Sequence, residues 1–271
     1  MFVSFWFHNL FNDAKVMKKK VKAYIFPKFF VSLHPIMELT IYRAALFVTG
    51  IINVGMAAQL FGGCKPYRSY KTYYRTCMLT ALWMAVFGIG YIIHGIFMLR
   101  DIWPTAASAL TASYFHLGAL CFNWGYTSLL NPDYLTRRVL WRDGLFYLFG
   151  LVVYWTVALL WKHAPLLTFA SFCMFFGYAV WTVITFYRTY NQVANRLIRL
   201  SFGNVMDFVR WMQVCCDLIV LFGISSVAIT AIFPTDFWPF TLLLFAGVGM
   251  FAYMDYSLTK YGKKIGHITQ L

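Results

Sequence analysis

Apolar residues run along this chain in long blocks, not in strand-like alternation. Seven such blocks cover residues 37–62, 73–99, 105–130, 142–162, 165–188, 208–233 and 238–260. At about 1.5 Å per residue, each is long enough as a helix to cross a hydrocarbon layer of about 30 Å. The pattern predicts an all-α polytopic membrane protein, a bundle of seven transmembrane helices.

Polar positions within the blocks recur at helical spacing. In the third block Ser113, His116, Asn123 and Thr127 are separated by 3, 7 and 4 residues, so they share one face. In lipid such a face must meet protein or water, which predicts an inner helix. Tyr42, Thr49 and Asn53 form a similar stripe on the first block, and Ser171, Tyr178, Thr182 and Thr185 on the fifth. Arg210, Gln213 and Asp217 form one on the sixth. Helix packing alone accounts for many serines and threonines in such positions.

Connections alternate in kind. Those near 100–104, 162–165 and 234–239 are short and contain proline, whereas the others are longer and basic. Fourteen cations fall on the second side: Lys65, Arg68, Lys71, Arg75, Arg137, Arg138, Arg142, Arg188, Arg196, Arg199, Arg210, Lys260, Lys263 and Lys264. The opposite side has Arg43, Arg100 and Lys162, plus six lysines in the amino-terminal tail. The positive-inside rule then predicts an amino terminus outside and a carboxyl terminus in the cytoplasm.

Residues 1–36 mix aromatic residues and lysines without the order of a secretory signal. Two readings fit them: an interfacial amphipathic segment, or sequence upstream of a start at Met37. The expected organisation is that tail, a membrane domain over 37–262, and a short cytoplasmic tail over 263–271. Residues 189–206 are too polar to span; they extend the fifth helix or lie on the inner leaflet.

Composition agrees with the pattern. Of 271 residues, 61% are hydrophobic and 12% charged, where soluble domains are about 25% charged. The net charge of +14 reflects topology, so no nucleic-acid partner is expected; the partner is the lipid bilayer. The six cysteines show no C-x-x-C spacing and are read as small apolar residues.

An acid inside the bilayer costs about 2.5–3.5 kcal/mol on insertion scales and is usually functional or paired. Asp217 and His116 fall at mid-depth, and Asn53, Asn123 and Asp255 in the inner half. With Gln213 they make up the candidate intramembrane polar site, and a His116–Asp217 pair is expected to join the third and sixth spans. No catalytic, cofactor or metal role is assigned to any residue. No span has a mid-bilayer lysine for a retinal Schiff base. His94 and His116 differ in depth by about 9 Å, too much for axial haem ligands. H-E-x-x-H and phosphate-binding glycine loops are absent.

The segments WPTAASALTASYFHLG and FPTDFWPFTLLL resemble the membrane-embedded sensor regions of bacterial membrane-bound regulators, namely helix-turn-helix regulators of the arabinose-operon type, and sensor kinases. The resemblance covers about 37–262. It implies a seven-helix unit that delivers its carboxyl terminus to a cytoplasmic effector, here a separate polypeptide or a domain beyond Leu271. The expected function is a non-enzymatic sensor or signal-transducing module of the bacterial inner membrane. The alternative is a small transporter or channel subunit using intramembrane Asp and His as an ion or proton relay. An integral-membrane enzyme acting on lipid is a third reading.

Overall fold

The structure is a computed structural model that describes residues 35–160, 165–200, 206–233 and 236–268. The tail over 1–34, Lys162, Pro234 and the side chain of Ser171 lie outside the described residues. Described residues form helices and no strands.

The long helices are α1 (Pro35–Gly63), α2 (Lys71–Phe97), α3 (Pro104–Phe122), α4 (Arg137–Leu160), α5 (Pro165–Leu200), α6 (Met206–Ile232) and α7 (Phe237–Ile268). Five of them (α1, α2, α4, α6 and α7) are long and apolar enough to cross a membrane, which makes this a multi-pass membrane protein. Proline opens α1, α3 and α5, where its missing N–H is one the first turn leaves unpaired anyway. Ahead of Pro104 the chain leaves α2 through Met98, a left-handed residue (φ 45°, ψ 44°), makes one turn over Leu99–Ile102, and extends at Trp103. The extension is what a following proline imposes.

Two boundaries differ from the sequence reading, and at a third the structure selects one of its two alternatives. α4 starts at Arg137, so Arg137, Arg138 and Arg142 lie on the helix and not in a connection. α5 runs on unbroken through residues 189–200, so this polar segment extends the fifth helix. The third block is not one continuous α-helix: after Phe122 it passes into a π-helical turn over Asn123–Thr127 and then a short α-turn over Ser128–Leu130.

α1 and α2 make the closest helix pair. A Cβ placed on Gly88 would lie 2.7 Å from the Gly50 carbonyl oxygen, and one on Gly50 would lie 2.9 Å from the Gly88 carbonyl oxygen. Glycine at both positions is what lets these backbones touch, as small residues do where lipid supplies no hydrophobic drive to associate. α3 is the inner helix its stripe predicts. It packs on α2, α4 and α5, and Ala106, Ala107, Ala109, Ala112 and Ala119 are buried along it. Gly118 lies directly beneath the Trp83 indole, leaving no room for a side chain. The core is aromatic: the Phe87 ring sits 4.5 Å from Tyr114, 5.2 Å from Phe115 and 5.3 Å from Phe251, in the offset and edge geometries that ring quadrupoles favour.

Candidate functional site

Two polar centres lie along α3, one at the π turn that follows its carboxyl end and one against its middle turns. The first is built on its π turn. A π turn widens the helix by one residue and spoils the regular hydrogen-bond ladder, a distortion frequent at functional sites. Here the Gly125 carbonyl accepts bonds from the Thr76 hydroxyl at 3.0 Å and the Ser128 hydroxyl at 2.9 Å.

Asn123 opens the turn and is fully buried. Its amide nitrogen donates to Asp143 Oδ2 at 3.2 Å and to the Tyr178 hydroxyl at 3.5 Å. Its carbonyl oxygen accepts from Tyr134 at 3.1 Å and Thr127 at 3.3 Å. Both ends of the amide are thus used, in mutually consistent roles.

Asp143, 1% exposed, also accepts from the Trp124 indole at 3.1 Å and from Arg142 Nε at 2.8 Å. Arg142 itself is half exposed and leans over Trp181, 5.6 Å from its ring centroid. The carboxylate therefore satisfies three donors from two helices and locks α3 to α4. In the connection between them, burial raises the Tyr134 phenol above its ordinary pKa, and its bond to Asn123 partly opposes this.

The second centre is a cavity of ≈ 30 Å³ between α1, α2, α3, α6 and α7, room for about two waters. Tyr42, Tyr91, His94, Arg100, Thr111 and Tyr114 bring polar groups to it. The Tyr114 hydroxyl donates to Thr111 at 3.1 Å, and Thr111 donates to the Ala107 carbonyl at 2.7 Å. The Arg100 guanidinium lies 3.8 Å above the Phe240 ring, a stacked cation–π contact.

The residues singled out from sequence divide between these centres and elsewhere. Asn123 is at the heart of the inner network. His116 lies midway along α3, fully buried, with Nδ1 3.0 Å from the Tyr154 hydroxyl and its ring among Phe146, Tyr147, Phe175 and Tyr178. Asn53 is fully buried with neither amide atom bonded, and Asp255 is buried with Oδ1 unbonded, among the described residues.

The expected His116–Asp217 pair does not form. Asp217 is exposed on the outer surface of α6 and accepts a hydrogen bond from Tyr187 of α5. Gln213 is only half-buried and Arg210 is exposed, so the α6 stripe faces outward and not into a seam. Helical spacing says which residues share a face; it does not say which way that face turns.

Asp217→Asn keeps an acceptor for Tyr187. It is expected to change stability by no more than about 1 kcal/mol, the scale of membrane-helix hydrogen bonds. Combined with His116→Gln, the two effects should add within about 0.5 kcal/mol, as for sites that share no partner. Thermal unfolding in detergent of the two single variants and the double variant measures this, and a coupling above that value would contradict the separation.

Asp143, Tyr134 and the joint placement of His94 and Arg100 on the cavity were missed from sequence. The signal for Asp143 was an acid just inside the fourth block with a cation beside it. Among the described residues no three His, Cys, Asp or Glu side chains gather to hold a metal ion. Comparison of the chain with protein-family models, with curated proteins and with solved structures finds no match.

Proposed function

We propose that the chain is a non-enzymatic sensor of a bacterial inner membrane, crossing it seven times, with the amino terminus outside and the carboxyl terminus in the cytoplasm. The observation that carries the reading is that one inner helix serves both polar centres. α3 supplies Thr111 and Tyr114 to the cavity, and the π turn that continues it supplies Asn123 and Trp124 to the network. Occupation of the cavity would bias the π turn, and with it the contacts of α3 to α4 and α5, toward a cytoplasmic effector.

The charge bias of the connections supports the orientation. The resemblance to sensor regions of membrane-bound regulators supports the same reading. The buried core that includes Phe87, Phe122 and Tyr126 is densely aromatic, which favours a sensor over a conduit.

Reporter fusions after Lys264 should signal from the cytoplasm and fusions within 100–104 from outside; the reverse result would invert both centres. The sensor reading is tested by hydrogen exchange. Thr111→Val at the cavity should change amide protection in residues 123–136 several-fold. Unchanged protection, together with proton flux in proteoliposomes that Asp255→Asn abolishes, would favour the ion-relay alternative.

A further inference from the structure

We propose that the cavity between α1, α2, α3, α6 and α7 binds a small carboxylate. The inference deepens the sensor reading and rests on it for the purpose of the site, though not for its chemistry. His94 is 3% exposed and lines the cavity, yet neither ring nitrogen has a hydrogen-bond partner. Arg100 is half-buried and its guanidinium reaches the Tyr42 phenol, but its Nε is buried and unbonded.

Leaving such donors unpaired away from water is costly, and a guanidinium more so than a neutral group. Among the described residues no Asp or Glu lines the cavity to compensate; the neighbouring Asp101 is exposed. What is missing is an acceptor with negative charge. The guanidinium is flat, fixed over Phe240 and beside the Tyr42 phenol, so it presents a fork that matches a carboxylate better than a spherical ion.

Size sets the rest. A space of ≈ 30 Å³ takes a carboxylate group in place of about two waters. Leu46, Phe115, Phe222, Leu243 and Leu244 complete the wall with apolar surface, suited to a short alkyl tail. The acid could be a free short-chain carboxylate or the head of a fatty acid drawn from the bilayer; both offer the same group to Arg100.

The test uses the full chain in detergent, followed by thermal unfolding and titration calorimetry with sodium acetate, with sodium decanoate, and with sodium chloride at matched ionic strength. Saturable stabilisation by acetate supports a free acid, and saturation by decanoate alone supports a lipid-derived one. Arg100→Gln should weaken binding at least tenfold. Arg100→Lys, which keeps the charge and loses the fork, should weaken it several-fold and serves if the glutamine variant does not fold.

Chloride binding as well as acetate, no saturable binding by any of the three, or unchanged affinity in the Arg100 variants would each overturn the proposal. Acetate binding without any change in protection of residues 123–136 would leave the site standing and remove the sensor reading.

Discussion

Asp143→Ala is expected to destabilise the detergent-solubilised protein by about 3 kcal/mol. The Trp124 indole N–H loses its acceptor, and the Asn123 amide nitrogen keeps only the longer bond to Tyr178. A buried donor left unsatisfied costs about 1–3 kcal/mol. The Arg142 share is small, because that side chain is half exposed and an ion pair open to water contributes at most about 1 kcal/mol.

Asp143→Asn retains one acceptor oxygen but brings an amide donor to a point where donors already converge, so a loss of about 1–2 kcal/mol is expected. For a protein of this size 3 kcal/mol corresponds to a fall in Tm of about 6–12 °C. A Tm for Asp143→Ala within about 1 °C of the wild type would show that the carboxylate does not hold the π turn in place.

Gly88→Ala is expected to cost about 2–3 kcal/mol, the range for forcing a methyl into a packed interface. The added carbon would collide with backbone, the Gly50 carbonyl oxygen at 2.7 Å and the Val54 amide nitrogen at 3.0 Å. Neither can swing aside as a flexible side chain would, so α1 and α2 must move apart along their length. Gly55→Ala on the same pair of helices is the control: nothing lies within 4 Å of its added carbon. Alanine's better helix propensity should leave it neutral or up to about 1 kcal/mol more stable. Equal losses for the two variants in a denaturation series would contradict a backbone contact at Gly88.

Much of this architecture can be read from residue types, because a bilayer allows few alternatives to apolar helices. The stripes of Tyr42, Thr49 and Asn53 and of Ser113, His116, Asn123 and Thr127 are buried as their spacing implies. Asp217 went astray because its stripe gave a direction relative to Gln213, not relative to the bundle. Asp143 stayed hidden because an acid next to an arginine at a span's edge looks like a surface pair in water. Only the fold brings Asn123 and Trp124 onto it from another helix.

The meeting of His94 and Arg100 at one cavity was hidden for a different reason. The two are six positions apart, and the left-handed residue at Met98 turns Arg100 back toward the helix it has just left. No helical periodicity carries through such a reversal. Gly50 and Gly88 show no small-xxx-small spacing with each other, since they belong to different helices and meet only on assembly.

The length of α5 has a mechanical consequence. Its 36 residues measure about 54 Å, and even at a steep tilt of 40° a hydrocarbon layer takes up only about 39 Å of that path. In the proposed seven-span arrangement, roughly ten residues therefore stand clear of the hydrocarbon as a rigid rod, with Arg196 and Arg199 near the tip. A rod joined to a span without a hinge is a lever. A rotation of about 6° where Tyr178 meets Asn123 would sweep a point 30 Å along the axis through about 3 Å, so a sub-ångström change in the buried amide becomes a displacement that another protein can feel.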